Sequence, residues 1–428
     1  MRMQAAAQQQ CPVNARPINI TELPRSSSLR IARGRSAPCC FHGGSFFEAI
    51  GPDFQKLEKR HDIINADVLD AWFDPSPKVI LALQEHFSWL LRTSPPTHCE
   101  GMVNTIARVR EVPPSAVLPG AGSSDLIFLA FRHWLTPQSR VLILDPMYGE
   151  YAHVLEQVVR CRVDRFALSR ENGYEVDTHR LRAHFNRSYD LIVLVNPNSP
   201  TGRHMPRAVM GALLQGVPPE TCVWVDETYV EYAAPGESLE QFAAQTRSSG
   251  SQANVVVCKS MSKVYALSGL RAAYLVGPEA LVDDLRGITP PWAVSLPAQV
   301  AAVAALQDPE YYTRRYAQTH ALREELFGLL QDKLSFEVVP GTANFLLCHL
   351  PDDGPTAATI VAACRRRGLF LRDAAQMGHS LGRHALRIAV KDRATNHRMV
   401  RIIAEALRAE SPPSSPGEGE EAGGPADS

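Results

Sequence analysis

Val255-Val256-Val257-Cys258-Lys259-Ser260-Met261-Ser262-Lys263 decides how this chain folds, together with Arg271 eight residues beyond the last lysine. Its opening run of β-branched and apolar residues reads as a strand buried on both faces. The strand leads into two hydroxyls, Ser260 and Ser262, and a lysine. Lysine forms a Schiff base with an aldehyde once desolvation and neighbouring charge lower its pKa. Hydroxyls and an arginine hold a phosphate dianion through charge-assisted hydrogen bonds. Pyridoxal 5′-phosphate carries both groups. Taken alone, the same residues also read as a solvated turn after a strand.

Working outward, further apolar runs occur at Ala116-Val117-Leu118, Val141-Leu142-Ile143-Leu144, Leu191-Ile192-Val193-Leu194-Val195, Cys222-Val223-Trp224-Val225 and Ala273-Tyr274-Leu275-Val276. Separated by helical patterns, they predict an α/β fold with a mostly parallel sheet covered on both faces. Near Pro290-Pro291-Trp292 the rhythm changes. One long helical stretch is expected from about Leu296 to Leu330. It leads to short strands around Phe336-Glu337-Val338-Val339, Phe345-Leu346-Leu347, Leu369-Phe370-Leu371 and Leu386-Arg387-Ile388-Ala389-Val390, with a closing helix from Thr395 to Arg408. This second block reads as a smaller α+β domain.

In open α/β sheets, ligands collect beyond the carboxyl ends of the strands. After Leu118 comes Pro119-Gly120-Ala121-Gly122-Ser123-Ser124-Asp125, where glycines and the free amides of Ser123 and Ser124 suit a phosphate at a helix start. A helix merely capped by Ser124 or Asp125 is the other reading. After Leu144, Tyr148 can stack on a planar heterocycle or pack the rim. After Val195, Asn196-Pro197-Asn198-Ser199-Pro200-Thr201-Gly202 makes a rigid turn that admits a cis bond. After Val225 comes Asp226, with Tyr229 three residues on. An acid ending a buried strand is costly unless it meets a cation, either a protonated pyridine nitrogen or a structural partner.

These motifs, NPNSPTG (196–202), DETYVEY (226–232), SMSKVYALSGLR (260–271) and LRIAV (386–390), resemble those of the fold-type I, class I/II aminotransferases, in particular the histidinol-phosphate aminotransferase branch. The resemblance covers roughly residues 63–409. It implies a large domain with a seven-stranded, mostly parallel sheet, a smaller α+β domain, and a homodimer that completes the pocket across its two-fold. Lys263 is then the catalytic, cofactor-bound lysine. Asp226 pairs with the pyridine nitrogen, Tyr229 bonds the ring O3′ and Tyr148 stacks on the ring. Ser123, Ser124, Ser260, Ser262 and Arg271 hold the phosphate. Asn344 and Arg387 hold the substrate carboxylate, and Arg372 is a second substrate-facing arginine. The implied substrates are an L-amino acid, or an amine like histidinol phosphate, and a 2-oxo acid.

The chain departs from the family pattern at two places. Ser199 stands where an asparagine usually bonds O3′, so that contact weakens, passes through water or moves to Asn198. Thr93 stands where relatives carry a tyrosine that crosses the dimer interface to the cofactor phosphate. The segment Ile64-Asn65-Ala66-Asp67-Val68-Leu69-Asp70-Ala71-Trp72-Phe73 also carries acids and aromatics foreign to the family's pattern. Relatives that decarboxylate threonine phosphate, or cyclise or eliminate, share the same motifs, so those reactions remain alternatives. A non-catalytic binding module that kept the fold is a third.

Composition narrows the classes. A net charge of −1 gives no reason to expect nucleic acid as partner. No apolar run reaches the ~20 residues of a membrane helix. The nine cysteines are scattered without a C-x-x-C pair, which suits a reducing, cytoplasmic setting. Adjacent Cys39-Cys40 are poor chelators, so no metal is expected. The expected organisation is a leader at 1–42, an N-terminal segment at 43–95 contributing to the small domain, entrance and dimer, a cofactor-binding domain at 96–295, a linking helix with small domain at 296–409, and a disordered acidic tail at 410–428. The leader contains Glu22 as its only acid and resembles an organelle transit peptide or a disordered extension.

Overall fold

Asn254–Ser260, the β-branched run of the opening stretch, is a strand buried at six of its seven positions. It lies inside a seven-stranded sheet of a computed structural model that describes residues 43–51, 53–245 and 254–410. The expected leader, and the tail beyond residue 410, lie outside the described residues. In chain order the strands are β1 (Ile64–Asn65), β2 (Val117–Gly120), β3 (Arg140–Asp145), β4 (Arg162–Ala167), β5 (Leu191–Val195), β6 (Cys222–Asp226) and β7 (Asn254–Ser260). They continue with β8 (Ala273–Val276), β9 (Glu337–Val339), β10 (Phe345–His349), β11 (Leu369–Phe370), β12 (Arg372–Asp373) and β13 (Ala385–Ala389).

The large sheet has the order β2-β8-β7-β6-β5-β3-β4. β7, β6, β5, β3 and β4 run parallel, and β8 is antiparallel to both β7 and β2. Two cores cover its faces. Along β8 the side chains alternate: Ala273 and Leu275 join one core, Tyr274 and Val276 the other. The central apolar runs therefore sit where the sequence places them. β4 has no such run, because this edge strand (Arg162–Ala167) buries only Phe166 and keeps its charged residues in partial contact with solvent.

The expected single helix near 296–330 is two helices, Leu296–Leu306 and Pro309–Leu334. Pro309 has no amide proton to continue the first and is pre-set to open the second. The apolar run at 369–371 supplies only the two-residue β11, which pairs with β1, while the next strand, β12, pairs with β13. The smaller antiparallel sheet has the order β12-β13-β10-β9. The N-terminal segment is tied to it by β1–β11 and by the Ala389 amide, which donates to the Ala66 carbonyl. The turns that follow β5 and β9 touch backbone to backbone. Gly202 has φ of +71°, and a Cβ there would lie 3.1 Å from the Gly341 Cα. The Thr342 amide donates to the Gly202 carbonyl at 2.9 Å. A side chain on either glycine would push the small sheet off the Asn-Pro turn.

Candidate active site

At the carboxyl end of β7 the Ser260 hydroxyl caps the short helix Met261–Val264, accepting from the Ser262 amide at 3.3 Å. The cap turns the chain sharply and projects Lys263. Its Nζ donates to Asp70 Oδ1 at 3.0 Å and to Ser268 Oγ at 3.5 Å. Burial holds the Lys263 ammonium below its ordinary range, and Arg387 and Arg271 add to this against the pull of Asp70.

At the end of β6 the Asp226 carboxylate meets only neutral donors directly. Thr228 gives its amide (2.9 Å) and hydroxyl (2.6 Å) to Oδ1, and the Tyr151 hydroxyl donates to Oδ2 at 2.8 Å. Tyr151 in turn accepts from Trp224 Nε1 at 2.8 Å. Burial raises the Asp226 pKa, and these hydrogen bonds only partly offset it. A cation brought against this carboxylate would be strongly favoured.

A candidate anion cradle lies beside them. The helix Ser123–Trp134 begins at Ser123, and the position before it is Gly122 at φ +97°, rather than Ser124 or Asp125. A Cβ at Gly122 would sit 2.4 Å from Arg271 Nη2, so only glycine lets the guanidinium cross the helix start. Asp125 instead accepts the Ala121 amide at 2.9 Å. Arg271 Nη1 reaches Ser262 Oγ at 3.5 Å. Tyr148 follows the cis Asp145-Pro146 bond, and its hydroxyl bonds to Ser124. Burial pushes the Tyr148 and Tyr229 phenols up, so both stay protonated. Tyr229 packs edge-on against Phe345.

The Asn-Pro turn has cis bonds at Asn196-Pro197 and Ser199-Pro200. Asn198 donates to the Pro146 carbonyl (3.0 Å) and Thr201 Oγ1 (3.1 Å), leaving its buried Oδ1 without a partner. Ser199 Oγ accepts from Arg387 Nη1 at 3.1 Å. Arg387 Nη2 donates to the Asp67 carbonyl at 2.9 Å, and its Nε has no partner. Burial pushes the Arg387 guanidinium down to about 10, still charged at neutral pH. Asn344 is fully buried, donates to the Leu69 carbonyl at 3.0 Å and leaves Oδ1 unpartnered. Arg372 pairs with Asp67 at 2.7 Å. An open cleft of about 840 Å³ leads in past Phe46, Asp70, Ser124, Tyr148 and Arg271.

The residues singled out at the strand ends thus lie around one site, with Ser260 Oγ also accepting the Ser262 amide as the cap. Thr93 ends the helix Pro77–Arg92 and lines a second cleft of about 750 Å³ with Phe87, Leu91, Arg271 and Trp292. Sequence reasoning gave no role to Tyr151, Thr228, Asp67, Asp70 or Lys391. The two acids lie in the segment 64–73, whose extra charges were the available signal. Tyr151 stands one helical turn beyond Tyr148, and Lys391 directly follows the LRIAV run.

Residues 64–403 match the family Aminotransferase class I and II. The chain is 31% identical over 366 residues to the histidinol-phosphate aminotransferase of Anaeromyxobacter sp. (strain Fw109-5), covering 84% of this chain and 96% of that one. It is 29% identical over 336 residues to that of Rhodopseudomonas palustris (strain BisA53), covering 78% and 88%. The crystal structure of the Sinorhizobium meliloti histidinol-phosphate aminotransferase in complex with pyridoxal-5′-phosphate shares the fold, with a TM-score of 0.73 at 20% identity over 87% of this chain and 99% of that one. The L-threonine-O-3-phosphate decarboxylase of Porphyromonas gingivalis shares it too, at 0.68 and 23% identity, over 81% and 99%. With four-fifths of its length (340 of 428 residues) inside the family match, the chain belongs to the class I and II aminotransferases, enzymes that work through pyridoxal 5′-phosphate.

Proposed function

We propose that the enzyme moves the amino group of an L-amino acid to a 2-oxo acid, with Lys263 as its cofactor-bound lysine. The observation that carries the donor class is Arg387. It is 5% exposed, and among the described residues it forms an ion pair with no carboxylate. A buried guanidinium in that state suits a substrate carboxylate held by its fork, with Asn344 alongside. Arg372 is already paired with Asp67, which leaves the Arg387 fork to meet the substrate's anionic group, a carboxylate or the phosphate of an amine like histidinol phosphate.

The cofactor fits the residues present. Lys263 offers an amine whose ammonium burial destabilises, and Asp226 offers a buried carboxylate whose direct partners are all neutral. The start of helix Ser123–Trp134, Ser262 and Arg271 form the anion cradle, with Ser260 holding the turn. Asn198 Oδ1 is an orphaned acceptor next to Ser199, whose own hydroxyl serves Arg387. The cofactor, when bound, supplies the electron-accepting ring that makes the substrate Cα–H acidic. Asp226 would keep a proton on the ring nitrogen, Tyr229 would donate to O3′ and Tyr148 would cover the ring face. Lys263, released by the incoming amine, would take the proton from Cα. Arg387 would fix the substrate so that this bond faces the lysine.

Incubation with a panel of L-amino acids and 2-oxoglutarate should yield glutamate, and Lys263→Ala should abolish both turnover and the covalent cofactor adduct. Carbon dioxide released without glutamate would replace this reading by decarboxylation.

We also propose a homodimer. Leu81, Phe87, Trp89, Leu91 and Trp292 are each at least half exposed. Phe87, Leu91 and Trp292 line the same cleft as Arg271, so apolar surface continues from the site outward. Sedimentation should give twice the chain mass, and a fully active monomer would refute this.

A further inference from the structure

Asp70, Lys263 and Lys391 reach one point from three separate parts of the chain: the segment after β1, the turn after β7, and the residue that follows Val390 beyond β13. Lys263 Nζ lies 3.0 Å from Asp70 Oδ1, and Lys391 Nζ lies 3.4 Å from the Asp70 carbonyl oxygen. Ser268 Oγ, 3.5 Å from Lys263 Nζ, donates to the Ser262 carbonyl at 3.0 Å. The Asp70 carboxylate and the Ser268 hydroxyl thus both accept from the amine.

The arrangement is poorly suited to be a mere staple. The Asp70 side chain is 38% exposed, open to the entrance rather than sealed in the core. Lys263 is only 17% exposed, so a neighbouring charge acts on it through a poorly screened medium. The groups facing it are Asp70 from the entrance segment, Arg271 beside the anion cradle, Arg387 from β13 and Lys391 beyond it. Asp70 is the one anion among them. The Tyr229 phenol also feels Asp70, but burial keeps it neutral. Burial and the neighbouring cations disfavour the Lys263 ammonium, and the Asp70 carboxylate favours it. Burial pushes Lys391 down to about 8, with Asp70 pulling up and Lys263 pushing down, so the second lysine is poised by the same pair.

We propose that Asp70 is a positioning residue for Lys263: its carboxylate clamps the amine against Ser268 and sets the pH at which the amine becomes a nucleophile. The proposal rests on the reading of Lys263 as the cofactor-bound lysine, and its test separates the two. The full-length apoenzyme is labelled with acetic anhydride across pH, and acetylation of Lys263 is read by peptide mass spectrometry. Exposed Lys78 serves as the internal reference. In Asp70→Asn the Lys263 midpoint should fall by about one unit, giving roughly tenfold faster labelling at pH 7. Asp70→Glu should restore most of the wild-type midpoint. Lys391→Met, which removes a cation and leaves the carboxylate, should shift the midpoint upward. Pyridoxal phosphate added to the apoenzyme at pH 7 should show the same order in the growth of its bound absorbance. Coincident midpoints in wild type and Asp70→Asn would overturn the proposal even if Lys263 captures the cofactor. Shifted midpoints with no capture at Lys263 would leave Asp70's effect standing and remove the function on which its purpose depends.

Discussion

Asp226 and Glu227 are neighbours in the chain, both buried, yet they belong to two differently finished regions. Glu227 opens onto a closed charge cluster. Lys259 Nζ lies 2.7 Å from Glu231, 3.6 Å from Glu227 and 4.0 Å from Glu240. Arg110 pairs with Glu231 at 3.0 Å and Glu240 at 3.5 Å. Burial pushes the Glu227 carboxyl up to about 7, so near neutrality the cluster approaches two cations against two anions. Asp226 opens the other way, onto the proposed cofactor site, where neutral hydroxyls and an amide serve it directly. Arg387 is its mirror image, a buried cation without a carboxylate partner among the described residues. The difference separates the two regions by charge: the closed cluster is balanced from within, whereas Asp226 and Arg387 at the proposed site each lack a direct counter-ion among the described residues.

Breaking the closed region should show first in stability. Lys259→Met removes the central cation and leaves Arg110 alone to balance Glu231 and Glu240, at a cost of about 3–5 kcal/mol in urea denaturation. Asp226→Asn should do the reverse. It removes a charge that has no direct counter-ion, so stability should hold or rise, while kcat drops by about 10²–10³-fold, roughly 2.7–4 kcal/mol of transition-state stabilisation. If Asp226→Asn unfolded the protein and Lys259→Met left it stable, the distinction between the regions would be reversed.

The open region was the more legible of the two in sequence. Asp226 could be read as functional because an acid ends an apolar strand, and Lys263 because a lysine follows two hydroxyls at another. Those clues are local. The closed cluster joins Arg110 to Glu231 and Tyr274, 121 and 164 residues away, and nothing near any one of them announces the others. The same holds inside the site. Asp70 meets Lys263 across 193 residues and Lys391 across 321, so only tertiary packing reveals the group. Tyr151 escaped for a different reason. Its contact with Asp226 depends on the helical turn Gly149–His153 that carries it away from Tyr148, and the sequence 145–151 leaves that turn's direction open. β4 escaped because an edge strand needs no apolar run.

The smallest expected effect probes the closed cluster at its own weak point. The Glu227 carboxyl titrates near 7 in the folded chain, against an ordinary value of 4.5. The folded state therefore holds more protons than the unfolded one between those limits. The resulting stability is fully present below pH 4.5 and is lost as pH rises through 7, with a slope of up to about 1.4 kcal/mol per pH unit. Glu227→Gln should remove this slope. The substitution also turns an amide group toward a donor, since Ser238 Oγ and the Leu239 amide both donate to the Glu227 carboxylate, at 2.6 and 2.8 Å. Ser238 can give its proton to Glu240 instead, 2.9 Å away, so that penalty is a constant offset rather than a change with pH. Urea midpoints measured at half-unit steps from pH 5 to 8 separate the two. A Glu227→Gln curve parallel to the wild-type curve would mean that Glu227 is ionised throughout and that the cluster holds three anions against two cations. In that case it, like the active site, would be a region built one charge short.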